Sequence, residues 1–171
     1  FPCSTFSIAR FLNSTDGKDD GGPPPVRTSS FPNGLPLDKL DPRHRLELNQ
    51  SNLLLQRTAA IAIAAHRSPS RSTIVLENPA DRSRKDSTCF ASEFSDHGSL
   101  FATDAYKELQ AAVGLSTATF AYCRLGSPYQ KYTTLAFTPD AASVLDKLSS
   151  PDYQCNHPRG SHEKQVSGRR S

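Results

Sequence analysis

Residues 41–79 read DPRHRLELNQSNLLLQRTAAIAIAAHRSPSRSTIVLENP, a long helical pattern followed by a short strand pattern. Asp41 suits the N-cap of a helix, and Pro42 suits its first position. Apolar residues then recur at spacings of three, four and seven, as on one buried helix face: Leu46, Leu53, Leu54, Ala60, Ile61 and Ala64. The stretch therefore predicts a helix that runs to about Arg67 and ends at Ser68-Pro69.

The strand pattern after this helix covers residues 72–77, which are mostly apolar and β-branched. A short apolar run that follows a helix is typical of a strand buried in a parallel sheet. Further along the chain, the patterns predict helices over 104–113 and 139–148 and strands over 117–124 and 132–137. The fold class predicted from this order is α/β.

Composition sets the size and class of the protein. The chain has 171 residues, of which 36% are hydrophobic and 22% charged, a balance typical of one globular domain. The net charge of +3 is too small to indicate a nucleic-acid-binding protein by charge alone. The sequence contains no apolar run of about 18 residues, so we expect no membrane partner.

The sequence predicts two regions without regular secondary structure. It also predicts that the cysteines are reduced. Residues 13–42 form a Pro/Gly-rich loop or insertion within a domain over 1–148, and residues 149–171 form a polar tail that we expect to be flexible. Cysteines at positions 3, 89, 123 and 155 fit neither a disulfide framework nor a paired zinc pattern. This predicts an intracellular protein, nuclear if the source is eukaryotic.

Three motifs follow one another along the chain. The first is Phe1-Pro2-Cys3-Ser4-Thr5-Phe6-Ser7-Ile8-Ala9-Arg10, the second is Ile74-Val75-Leu76-Glu77-Asn78-Pro79, and the third is Cys123-Arg124-Leu125-Gly126-Ser127-Pro128-Tyr129-Gln130-Lys131. In this order they resemble the Pro-Cys loop, the Glu-Asn strand end and the Gly/Pro/Gln segment of the DNA cytosine-5 methyltransferases. The chain resembles a divergent, N-terminally truncated member of that family, similar to segments carried by mobile genetic elements.

The resemblance implies a reaction and roles for named residues. Carbon 5 of cytosine becomes a nucleophile only after a thiolate adds to carbon 6, and a carboxyl group must then assist at the edge of the ring. By resemblance, Cys3 supplies the thiolate to a cytosine flipped out of DNA, and Glu77 supplies the carboxyl group. The resemblance also assigns the contacts with the substrate to five residues, Pro2, Ser7, Arg10, Asn78 and Lys131.

The resemblance also implies a cofactor and a partial sheet. The methyl donor of the family is S-adenosylmethionine, bound at strand ends of a Rossmann-like sheet. Its binding loop lies upstream of the Pro-Cys motif in the family, so we expect this chain to hold part of such a sheet, flanked by helices and long irregular loops. We expect S-adenosylmethionine in a longer parent, no cofactor on this chain alone, no methyl transfer by it, and DNA as its partner.

Two alternatives belong to other functional classes. One is a non-catalytic nucleic-acid-associated module of a mobile element, in which basic residues near the second motif meet phosphates. The other is a small zinc-stabilised interaction domain built on Cys155, His157 and His162, with Cys123 or Cys89 as the fourth ligand. The spacing of these residues in a Pro/Gly-rich tail is more typical of a surface loop, so our principal interpretation assigns no metal ligands.

Overall fold

The computed structural model describes residues 4–12, 23–158 and 161–162. The described chain is mixed α/β, as predicted, and short 3₁₀ turns connect many of its elements. Its helices are α1 (Ala9–Leu12), α2 (Pro42–Arg67), α3 (Asp104–Val113) and α4 (Ala142–Leu145). Its strands are β1 (Val75–Pro79), β2 (Ser116–Ala121) and β3 (Tyr132–Phe137).

The ends of α2 confirm the sequence prediction, but its buried face does not. The Asp41 carboxylate accepts a hydrogen bond from the backbone N–H of His44 at 2.8 Å, and Ser68 is the C-cap. The predicted core residues Leu46, Leu53 and Ile61 are instead exposed. A different ridge of the helix from the predicted one faces the core. This ridge comprises Leu48, Ser51, Leu55, Ala59 and Ala62.

The three strands lie in the order β1-β3-β2, and both pairings are antiparallel. The parallel sheet predicted from the sequence is therefore wrong, and a Rossmann-like fold is not confirmed. Residues 122–131 join β2 directly to β3 without a crossover helix, and Gly126 takes a left-handed φ of 88° in this turn. Strands β1 and β2 do run in the same direction, but β3 lies between them.

The main core lies between α2, α3 and one face of the sheet. Its buried members are Phe6, Leu55, Ala59, Ala62, Leu100, Tyr106, Leu109, Val113, Leu115 and Ala136. A second cluster at the other end of the sheet joins Ala80, Cys89, Ala121 and Tyr132 to the partly buried Cys123 and Cys155. This second cluster brings the C-terminal region into the fold.

The C-terminal region differs from its prediction in two ways. The helix predicted over 139–148 is divided into the 3₁₀ turn Pro139–Ala141, α4 and the 3₁₀ turn Asp146–Ser149. The tail predicted to begin at 149 continues as the turn Pro151–Tyr153 and hydrogen-bonds to the sheet beyond it, so through residue 158 it is part of the fold. None of the described helices is long and apolar enough to cross a membrane.

Candidate metal centre

Four side chains that can bind metal converge beside the end of β2. They are Cys123, Cys155, His157 and His162, and their donor atoms all lie within 4.8 Å of one another. The Cys155 sulfur lies 3.6 Å from His157 Nδ1 and 3.4 Å from His162 Nε2. Two thiols and two imidazoles are a donor set that zinc prefers.

Two of the donor separations match a tetrahedral zinc site, and the remaining pairs lie within 4.8 Å. With Zn–S bonds of about 2.3 Å and Zn–N bonds of about 2.05 Å, a sulfur and a nitrogen ligand lie about 3.6 Å apart. The two Cys155–His separations of 3.6 and 3.4 Å agree with this value. The His157 and His162 rings meet edge to face, with centroids 4.9 Å apart. The residues present therefore fit a zinc ion.

Cys123 is positioned by the turn that ends β2. It is the second residue of the 3₁₀ turn Tyr122–Leu125, which Gly126 ends in a left-handed conformation. The neighbouring Arg124 crosses to the C-terminal segment, where Nε donates to the Asp152 carbonyl and Nη1 to Asn156 Oδ1, both at 2.8 Å. The guanidinium group thus ties together the two segments that carry the cysteines.

Cys155 is held by the central strand and by its neighbour in sequence. Its backbone N–H donates to the Tyr132 hydroxyl at 3.2 Å, and Gln130 Nε2 donates to its sulfur at 3.4 Å. The side chain of Gln154 donates to the Thr119 carbonyl of β2 at 2.8 Å and accepts from Thr88 Oγ1 at 3.1 Å. Such outer contacts orient a ligand before the metal binds.

Burial and the neighbouring Cys155 thiol determine the direction of the pKa shift of Cys123. Burial, and then the adjacent Cys155 thiol, raises the pKa of Cys123 to about 11. A bound divalent cation reverses this preference, because a coordinating thiol is deprotonated outright. Metal binding at this centre is therefore coupled to proton release.

The structure selects between the two cysteines that the sequence offered as the fourth ligand. Cys89 is buried in the same apolar cluster, but its thiol contacts Ser87 Oγ at 3.0 Å and donates to the Asp81 carbonyl at 3.4 Å. Burial raises the pKa of this thiol as well. Cys89 is not part of the donor group, and Cys123 takes the fourth place.

Two of the residues assigned by the methyltransferase resemblance lie together, on β1 and at the start of β3. Lys131 Nζ donates to Glu77 Oε1 at 3.0 Å, and both side chains are partly exposed. The ammonium group also lies 5.0 Å from the centre of the Tyr122 ring. Lys131 stands in sequence between Gln130 and Tyr132, the two residues that contact Cys155.

Of the other residues assigned by the resemblance, the structure describes Asn78, Ser7 and Arg10. Asn78 points to the opposite face of β1 and is buried, and its amide atoms have no hydrogen-bond partner within the part of the chain that the structure describes. Ser7 Oγ accepts from the backbone N–H of Ala9 at 3.2 Å. Pro2 and Cys3 lie outside the described residues.

Arg10, which the resemblance assigns to the substrate, is used within the fold. It is 3% exposed and donates to the Ser4 carbonyl at 2.8 Å, to the Pro24 carbonyl at 2.7 Å and to the Glu47 carboxylate. Burial favours a raised pKa for Glu47, but hydrogen bonds from Ser4 and Arg10 outweigh it, and the net pKa is lowered. Arg10 therefore joins the N-terminal segment to α2.

Comparison with protein-family models, with curated proteins and with solved structures finds no match to this chain. The Cys/His donor set is thus the strongest functional indication in the described residues. Sequence reasoning identified three of its ligands and offered two cysteines for the fourth position, but favoured a loop without metal. The presence of Gln130 and Tyr132 beside Cys155 was the part that the sequence did not indicate.

Proposed function

We propose that this chain is a small zinc-stabilised domain in which Cys123, Cys155, His157 and His162 hold one structural Zn²⁺. The observation that supports this proposal is the agreement of the Cys155–His157 and Cys155–His162 separations with a zinc tetrahedron. Zinc sites with four protein ligands are typically structural, whereas catalytic sites keep one position open for water or substrate.

The role of the zinc follows from what its ligands connect. One ligand ends β2, and the other three belong to the C-terminal segment that crosses back over the β2–β3 hairpin. A zinc ion supplies the cross-link between them, which hydrogen bonds from Arg124 and Gln154 alone would make only weakly. The domain that results presents a stable surface to a partner without needing a larger core.

Zinc binding is tested by metal content and by the cobalt spectrum. We expect purified protein to contain equimolar zinc and to give, after exchange, the absorption bands of tetrahedral thiolate-bound Co²⁺. His162→Ala is expected to weaken zinc binding by about 100-fold or more because one of four ligands is lost. The matched control His66→Ala removes a half-buried histidine of α2 that is not part of the donor group, and it is expected to leave binding unchanged. Protein with neither bound zinc nor zinc affinity would overturn the proposal.

Methyltransferase-like chemistry on DNA is our second candidate function, and one contact favours it. The resemblance places Glu77 and Lys131 in one site, and their side chains form an ion pair on the partly exposed face of β1 and β3. In this proposal Glu77 contacts the edge of a flipped cytosine, Cys3 supplies the thiolate, and S-adenosylmethionine binds to a longer parent. The same proposal makes DNA the partner, with binding that weakens as salt rises.

The second candidate requires the Cys3 sulfur to face the Glu77 side chain across one cleft. In zinc-loaded protein, where Cys123 and Cys155 are bound and Cys89 is buried, we expect Glu77→Cys to crosslink to Cys3 with a short bifunctional thiol reagent. Ala64→Cys is the control, because it lies about 25 Å along α2 from Glu47, which contacts Ser4. Mass spectrometry that finds no Cys3 crosslink in Glu77→Cys would rule out the shared cleft.

A further inference from the structure

The outward face of α2 carries large apolar side chains that stay exposed among residues 4–12, 23–158 and 161–162. Leu46, Leu53, Leu54 and Ile61 are 59%, 46%, 46% and 69% exposed. The core-facing ridge of the same helix is complete without them, since Leu48, Leu55 and Ala59 fill it. Single exposed leucines are ordinary, but several on one helix face indicate an interaction surface.

These side chains form two adjacent rows along the helix. Leu46 and Leu53 are seven residues apart, and so are Leu54 and Ile61, so each row follows one side of the helix. From Leu46 to Ile61 the surface extends for about 22 Å, or four turns. Its length and its heptad spacing match the apolar face of a second helix packed alongside.

A charged side chain lies at the middle of this surface. Arg57 is exposed and stands three or four residues from Leu53, Leu54 and Ile61, so it is surrounded by them. We call the set of Leu46, Leu53, Leu54, Arg57 and Ile61 the α2 stripe. A partner that covers the stripe must supply a carboxylate to Arg57, because an unpaired charge is costly to bury.

The charges around the stripe have one sign. The exposed charged residues within α2 are all arginines: Arg43, Arg45, Arg57 and Arg67. The only acidic residue of the helix, Glu47, is engaged by Arg10 and Ser4. A second copy of the chain would therefore bring arginines against arginines, which disfavours self-association. A bilayer would have to receive Arg57 at the centre of the inserted face, which is also unfavourable.

We propose that the α2 stripe binds an acidic amphipathic helix, whose leucine-type side chains cover Leu46, Leu53, Leu54 and Ile61 and whose carboxylates pair with Arg57 and its flanking arginines. Recognition of this kind places the apolar face of one helix along another and uses the flanking charges to set the register. The proposal is independent of the zinc ion.

The test uses the zinc-loaded chain and two fluorescent synthetic helices that have the same leucine heptads, one flanked by Glu and one by Lys. We expect saturable binding of the Glu-flanked helix, measured by anisotropy, and weak binding of the Lys-flanked one. Leu53→Gln with Ile61→Gln should weaken binding by more than about tenfold. Arg57→Glu should weaken the binding of the Glu-flanked helix to a similar extent and should strengthen the binding of the Lys-flanked helix.

Because the substituted side chains are exposed, the variants should keep the melting temperature of the parent, which confirms that they fold. Equal binding of both helices, or binding indifferent to Arg57→Glu, would overturn the proposal. It would also be overturned if the stripe bound only phosphatidylserine vesicles, or if sedimentation revealed a dimer that the Leu53→Gln, Ile61→Gln variant lacks.

Discussion

Replacing Cys155 with serine is expected to abolish zinc binding and to lower the free energy of unfolding by at least about 3 kcal/mol, since the zinc-binding free energy of such sites is folding free energy. Cys155 is chosen because its sulfur contacts both histidine nitrogens and its backbone is fixed by Tyr132. In a domain of this size the loss corresponds to a fall in melting temperature of roughly 10 °C, which differential scanning fluorimetry measures directly.

A chelator separates the loss of zinc from the loss of a buried thiol. Excess EDTA should lower the melting temperature of the parent to about that of Cys155→Ser and should leave the variant unchanged. The control Cys89→Ala removes another buried thiol of the same apolar cluster and should cost about 1–2 kcal/mol while keeping full zinc content. A Cys155→Ser protein that retains equimolar zinc would contradict the proposed ligand set.

Arg10→Ala is expected to destabilise the fold by about 2 kcal/mol, because Arg10 is buried and its removal leaves two backbone carbonyls and a half-buried carboxylate without their donor. The guanidinium group satisfies the Ser4 and Pro24 carbonyls together with the Glu47 carboxylate. Urea denaturation followed by circular dichroism measures the change. Arg57→Ala, which truncates an exposed arginine of α2, is the matched control and should change stability by no more than about 0.5 kcal/mol.

The ion pair between Arg10 and Glu47 predicts that the stability of the fold depends on pH. The net pKa of Glu47 is lower in the folded protein than in the unfolded chain, despite the opposing effect of burial. Its contribution to stability is therefore present above the unfolded pKa of about 4.3 and is lost as the pH falls through the lower folded value. The parent should lose more stability below about pH 4.3 than Arg10→Ala does. Equal acid sensitivity of the two proteins would count against this assignment.

Local signals in the sequence predicted the elements that depend on local physics. The cap at Asp41, the length of α2, the bounds of α3 and the strand at residues 132–137 all follow from capping and periodicity, and the structure confirms them. Periodicity could not determine which apolar row of α2 faces the core, because Leu46, Leu53 and Ile61 and the row from Leu48 to Ala62 both repeat at helical spacing.

The predictions that failed depend on contacts between distant residues. A strand pattern does not reveal its neighbour or its direction, so residues 72–77 were predicted to lie in a parallel sheet, although β1 pairs antiparallel with β3. The metal centre is non-local in the same way. Cys123 and Cys155 are 32 positions apart, and only the β2–β3 hairpin and the returning segment bring their sulfurs together. A spacing rule made for compact zinc motifs does not detect such a site.

The hydrogen bond between Cys155 and Tyr132 has a consequence for the rate at which a bound metal ion would exchange. The proposed site is complete when the turn after β2, which carries Cys123, lies beside Cys155, whose backbone N–H is held by the Tyr132 hydroxyl of β3. An ion in the proposed site would lose its bond to Cys123 when the returning segment, which carries the other three ligands, separates from that turn. We therefore expect exchange of bound zinc with an isotope in solution to report local opening of the returning segment.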